Sequence, residues 1–199
     1  MEALKLEQNP YTYADYAKWE TNERYELVDG VPYMMAAPTT EHQDITGDVF
    51  HQLKNILSGK PCKPYISPVD VCLSGKREND KTVVQPDILV VCDRSKIEKN
   101  FINGAPEFVI EVLSPSNRSE VFVLKLKRYL MFGVKELWTI DPSDKSVSIF
   151  LLKNNKFEMT NIQNPINVPV SILDNCEINV QAAFAAANIT YADMDEEKN

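Results

Sequence analysis

The sequence lacks the features that would place it in a membrane, in a secretory pathway or on a broad nucleic-acid surface. No apolar run reaches the ~20 residues that cross a bilayer. The first ten residues, MEALKLEQNP, contain no apolar signal core. These absences predict a cytoplasmic protein with no membrane partner. None of the four cysteines, Cys62, Cys72, Cys92 and Cys176, stands in a C-x-x-C pair, which argues against a zinc site. In a reducing compartment they are expected as buried free thiols. Basic residues are fewer than acidic ones, 21 against 29, and the formal charge is −8. That excludes a wide electrostatic grip on nucleic acid. There is no zinc-finger, helix-turn-helix or basic-tail pattern, no internal repeat and no low-complexity linker.

What is present is an ordinary globular composition: 199 residues, 44% apolar and 25% charged, enough for one domain with a real core. The expected organisation is a single domain over residues 1–188, then an acidic, disordered tail over 189–199. YTYADYAKWE reads as a short aromatic helix. RYELVDGVPYMMAA reads as a β-hairpin about the Asp29-Gly30 turn. PTTEHQDITGDVFHQLKNILSG reads as an amphipathic helix with Ile45, Val49, Leu53 and Ile56 on one stripe and His42 one turn before them. Thr40 and Gln43 have capping-box spacing, and Gly59 supplies the stop. PYISPVDVCLSG, KTVVQPDILVVCD and PEFVIEVLS read as strands, SEVFVLKLKRYLMFG as a second helix. VKELWTIDP, SVSIFLLK and the stretch around FEMTNI follow as strands, and INVQAAFAA as a closing helix. The fold class is therefore α/β, a central mixed sheet flanked by helices with an N-terminal hairpin.

Two strands carry a residue that does not belong. In PEFVIEVLS, Glu111 shares a face with Val109 and Leu113, while Phe108, Ile110 and Val112 occupy the other. A strand apolar on both faces is covered on both, and an ionised carboxylate there is costly unless paired. In VVQPDILVV, Asp87 sits among valines, isoleucine and leucine directly after Pro86, which cannot donate to a ladder. Taken singly, each acid is explained by solvent or a basic partner. Two on successive strands point instead to a shared divalent cation, and hard oxygen donors suit Mg2+ or Mn2+.

A basic residue joins them. Val121, Lys125 and Tyr129 are spaced four apart on one helix side, so Lys125 is bracketed by apolar neighbours, whereas Lys127 and Arg128 can be solvated. Lys125 either snorkels to the surface or reaches a charge over the sheet. Acid, acid and lysine together suit metal-dependent phosphodiester hydrolysis. The metal polarises a phosphoryl oxygen and acidifies a bound water. The ammonium orients that water or offsets charge on a phosphorane-like transition state.

Pro86-Asp87 followed by Glu111-Val112-Leu113 resembles the PD-(D/E)XK nuclease superfamily, with Leu113 where the lysine usually stands. More closely, YELVDG (25–30), HQ (42–43), QPDILVV (85–91), GAPEFVIEVLSPS (104–116), KLKRY (125–129) and GVKELWTIDP (133–142) resemble the Uma-two family of restriction-endonuclease-like proteins. The likeness spans roughly residues 10 to 185. It implies a restriction-endonuclease-like fold and a metal-dependent endonuclease acting on DNA. Asp87, Glu111 and the Val112 backbone carbonyl become the metal ligands and Lys125 the relocated lysine, with Glu26, His42 and Asp70 as supporting groups. The family usually has an acid one turn before the lysine; Val121 stands there, with Glu120 beside it. That departure and the net charge favour an alternative, a catalytically weak or inactive member serving as a nucleic-acid or protein interaction module. The presence of Asp87, Glu111 and Lys125 together favours the enzyme. A homodimer would suit cleavage of both strands of a duplex, by analogy alone.

Overall fold

The structure is a computed structural model and describes residues 10–114, 120–154 and 156–187; the tail expected over 189–199 lies outside them. The chain opens with a short helix α1 (Tyr13–Tyr16) and a hairpin of β1 (Tyr25–Val28) and β2 (Val31–Met34). Asp29 and Gly30 turn between them at φ 55° and 81°, the pair of positive angles that two-residue hairpins require. A Cβ on Gly30 would lie 2.3 Å from the Pro10 Cβ, so the position is closed to other residues sterically as well as conformationally.

Helix α2 (Thr40–Ile56) follows. Its N-cap is Thr39, whose hydroxyl accepts from the His42 amide, not the Thr40–Gln43 box that the spacing suggested. Of its expected apolar stripe, Ile45, Val49 and Leu53 are fully buried, Ile56 is partly buried, and His42 is buried one turn earlier. Next come β3 (Lys63–Ile66), β4 (Asp70–Cys72), β5 (Val83–Val84), β6 (Ile88–Val91), β7 (Phe101–Asn103) and β8 (Phe108–Val112). Helix α3 (Glu120–Met131) leads into β9 (Glu136–Asp141), β10 (Ser146–Lys153) and β11 (Lys156–Gln163). The chain closes with β12 (Asn167–Pro169), β13 (Glu177–Asn179) and α4 (Val180–Ala187). The sequence did not signal β7, β12 or β13.

The expected class holds, mixed sheet flanked by helices with an N-terminal hairpin, but the strands divide between two large mixed sheets and a two-stranded one. The hairpin sheet runs β2-β1-β5-β4-β7, and the larger sheet β11-β10-β9-β8-β6-β3. Two runs read as single strands are each split between the sheets. Ser67-Pro68, joined by a cis peptide, separates β3 from β4, and Gln85-Pro86-Asp87 separates β5 from β6. Both crossings lie at one seam, where the Ser67 amide donates to the Asp87 carbonyl at 2.9 Å.

The larger sheet is covered on both faces, as apolar alternation in β8 requires. Phe108, Ile110 and Val112 pack with Ile45, Val49 and Leu53 of α2 and with Ala183 and Phe184 of α4. Val109 and Leu89 pack on the opposite face with Tyr129 of α3. Fully burying one such side chain contributes about 1.5–3 kcal/mol. Antiparallel pairing also sets Cys62 opposite Cys92, beyond Lys63↔Val91, and the two form a disulfide. The expectation of free thiols holds for Cys72 and Cys176 only. Among the described residues no helix is long and apolar enough to cross a membrane.

Candidate active site at the seam of two sheets

Asp87 owes its position to the break in its strand. Pairing of β6 with β8 ends at Ile88↔Ile110, because Pro86 brings no N–H and the chain turns towards the hairpin sheet. The Val112 amide, beyond that last pair, therefore has no ladder acceptor in β6. The Asp87 carboxylate takes that role, Oδ2 accepting from Val112 N at 2.8 Å. His42 Nε2 lies 3.1 Å from the same oxygen, and its Nδ1 lies 3.5 Å from Thr46 Oγ1. Amide and carbonyl of one strand residue point the same way, so the Val112 carbonyl is also directed to the Asp87 side of β8.

Glu111 points to the opposite face from Val112, towards α3. Its Oε1 lies 3.0 Å from Lys125 Nζ and accepts from the Tyr129 hydroxyl at 2.5 Å. Lys125 also donates to Glu26 Oε1 at 2.8 Å, and that oxygen accepts from the Gln85 amide at 2.7 Å. Glu26, Glu111 and Lys125 are 3%, 2% and 6% exposed, so neither the solvated strand acid nor the snorkelling lysine describes them. Glu26 supplies the carboxylate that Val121 cannot. It comes from the hairpin rather than from one turn back on α3. Arg128, expected in solvent, donates from Nε to Asp29 Oδ1 at 2.8 Å and ties α3 to the hairpin turn.

The cluster is anionic, three carboxylates about one ammonium and one imidazole. Burial pushes the Glu111 carboxyl up to about 7; Lys125 opposes that shift, while Asp87 and Glu26 add to it. Burial alone would lower Lys125, but Glu111 and Glu26 outweigh it and hold the ammonium above its ordinary value. Burial also works against the His42 imidazolium, yet the hydrogen bond to Asp87 and the charges of Asp87 and Glu111 raise its pKa. Burial, then Glu111, lifts Tyr129 well above the usual phenol range, so it stays a donor. Removing one partner of a buried pair of this kind leaves an uncompensated charge and costs about 3–5 kcal/mol.

Asp70 is not part of this cluster. It accepts from Gln85 Nε2 at 2.8 Å and Tyr16 OH at 3.2 Å, behind the cavity wall. Burial raises its pKa. The groups that sequence reasoning passed over are Tyr129, Gln85 and Arg24. Tyr129 was visible on the Lys125 stripe. Gln85 and Arg24 gave no signal, because the contacts that place them reach across 15 to 69 residues of chain.

Asp87, Glu111, Lys125, Glu26 and His42 line one cavity of about 370 Å3; Asp70 does not. Among the described residues no group of three or more His, Cys, Asp or Glu side chains is placed to hold a metal ion. The donor set is smaller: one oxygen each of Asp87 and Glu111, Oδ1 and Oε2, accepts no hydrogen bond from a described residue, and neither is a sealed orphan. Two carboxylates beside a strand carbonyl suit a hard ion that keeps several waters.

The family described as "Uma2: Putative restriction endonuclease" matches residues 13–181. A crystal structure from Anabaena variabilis, described as "a putative nuclease belonging to DUF820", aligns with a TM-score of 0.71 at 22% identity. The alignment covers 89% of this chain and 99% of that one, a likeness of fold. No curated protein matches the chain.

Proposed function

This chain belongs to the Uma2 family, and from that premise we propose that it is a magnesium- or manganese-dependent endonuclease hydrolysing phosphodiester bonds in DNA. The observation that supports this most directly is that Asp87, immediately before β6, and Glu111, on the adjoining β8, line one cavity with the buried ammonium of Lys125, which lies 3.0 Å from Glu111. Asp87, Glu111 and the Val112 carbonyl would hold the ion. When bound, such an ion polarises a phosphoryl oxygen and lowers the pKa of a coordinated water. The chain's own groups do the rest. Lys125, fixed between Glu26 and Glu111, sets the attacking water in place and offsets negative charge as the phosphorus becomes five-coordinate. Tyr129 and Glu26 are positioning residues, holding Glu111 and Lys125. His42 holds Asp87 with one oxygen turned to the cavity.

Titration calorimetry with magnesium and manganese is the first test. Asp87→Asn keeps an oxygen for the Val112 amide, so the fold survives, but loses the anionic donor. Wild type is expected to bind and the variant not to bind. Lys125→Met is expected to keep metal binding and lose at least about a hundredfold in cleavage of a generic DNA. Absence of metal affinity in both wild type and Asp87→Asn would return the chain to a non-enzymatic interaction module, and unchanged cleavage in Lys125→Met would assign the lysine to packing.

A further inference from the structure

The cavity has two unlike walls. On one, Arg24 presents a guanidinium that pairs with no carboxylate among the described residues. Its Nε and Nη2 donate to Gln85 Oε1 at 3.2 and 2.5 Å, and Nη2 also donates to Ser67 Oγ at 3.0 Å. Both holders are neutral. Gln85 is itself oriented, because its Nε2 donates to Asp70 Oδ1 at 2.8 Å and to the Tyr16 hydroxyl at 3.1 Å, which leaves its oxygen for Arg24. Nη1 donates to no described group. Asp70, beyond Gln85, acts on this charge from a distance but does not bond it, so the guanidinium keeps an open edge, the arrangement that receives a phosphate. Lys125 is engaged by Glu26 and Glu111 and, on the proposed reading, belongs to the reacting phosphate, so a neighbouring phosphate falls to Arg24.

The other wall is apolar. Met34, Met35, Ala36, Ala37 and Pro38 run from the end of β2 to the cap of α2 without a polar side chain, and all five line the cavity. Met34 is 47% exposed. Phe122 of α3 extends this surface. Met34, Ala36, Ala37 and Pro38 are exposed, and an apolar stretch in a cavity wall beside a few polar groups is the make-up of a ligand site.

The two walls ask for a ligand with an anionic end and a flat apolar end. At about 370 Å3 the cavity lies towards the small end of ligand pockets. A duplex shows its outside as sugar and phosphate, which gain nothing from a methionine-rich wall. The balance of 21 basic residues against 29 acidic also does not favour a long basic track for two phosphate rails. An unstacked base does gain from such a wall, and only an unstacked base can enter a recess. Resting on the nuclease reading above, we propose that the cavity is a subsite for one unstacked nucleotide of single-stranded nucleic acid, Arg24 taking a phosphate and the Met34–Pro38 wall the base.

The test is fluorescence anisotropy with a labelled oligothymidylate and with the same strand annealed to its complement. The full chain carrying Asp87→Asn is used, which on the nuclease reading cannot cut and presents one carboxylate less to the phosphate. The single strand is expected to bind at least about tenfold more tightly than the duplex. Adding Arg24→Gln should weaken that binding and reduce the slope of log K on log salt by about 0.7, one phosphate contact. Arg24→Lys should recover the slope and part of the affinity. A merely structural arginine would lower thermal stability and leave the slope alone. Met34→Ser, at an exposed position, should weaken single-strand binding several-fold with an unchanged melting temperature. Equal affinity for duplex and single strand, binding of neither, or an unchanged salt slope in Arg24→Gln would overturn the subsite. Cleavage by wild type with magnesium is read separately. Arg24-dependent binding without cleavage sinks hydrolysis and leaves the subsite; cleavage of duplex that ignores Arg24 does the reverse.

Discussion

Glu107 and Glu111 stand four residues apart and are held in opposite ways. Burial raises the Glu107 carboxyl, but Lys96 Nζ at 2.6 Å and the Cys92 amide at 2.7 Å outweigh it, and the net shift is downward. Glu107 therefore contributes stability above its ordinary value near 4.5, and loses it as pH falls through the lower folded value. Glu111 is raised to about 7, so its contribution is complete below its ordinary value near 4.5 and is lost as pH rises through about 7. Carbon-13 titration of the metal-free protein should find one glutamate carboxyl with a midpoint near 7. Denaturant melts across that interval should show wild type losing stability relative to Glu111→Gln as pH rises. A midpoint in the ordinary glutamate range would remove the physical case for a crowded, buried anionic cluster. Asp87 and Glu111 were legible in the sequence because charge among β-branched neighbours is conspicuous. Glu26 was not legible in its present role, since its partner is 99 residues away and its strand looks like any hairpin arm.

At the scale of elements, periodicity located the helices well and their starts less well. Two threonines stand side by side, and only extended backbone at Thr39, φ −75° and ψ 163°, makes it the cap. Its hydroxyl holds the amide of His42, so the cap also sets the residue that touches Asp87. Thr39→Ala should cost about 1 kcal/mol in denaturant unfolding, with Thr40→Ala near neutral; the reverse order would restore the Thr40 cap. The strands failed differently. Alternation of apolar and polar residues continues across a corner, so it cannot say where a strand leaves one sheet for another. Ser67-Pro68 and Pro86-Asp87 were the visible signs of interruption, and the corner at Asp87 is the one that builds the site.

For the whole molecule, the order of the helices and longer strands and the two covered faces of the larger sheet followed from pattern, but strands β7, β12 and β13, the division into two sheets and the cysteine pairing did not. Cys62 and Cys92 are 30 residues apart, and nothing short of strand register brings them together. Thiol titration of the unreduced, denatured chain should count two free thiols, Cys72 and Cys176. Reduction should lower the unfolding free energy by about 3 kcal/mol. Four reactive thiols would overturn the bridge. The seam has a different consequence. Glu26 belongs to the hairpin sheet, Glu111 to the larger one, and Lys125 clasps both. On the proposed reading that ammonium is a rivet as well as a reagent. A nascent or partly opened chain, with the two halves apart, does not assemble this cluster, so a reaction that depended on it would begin only once the chain is whole.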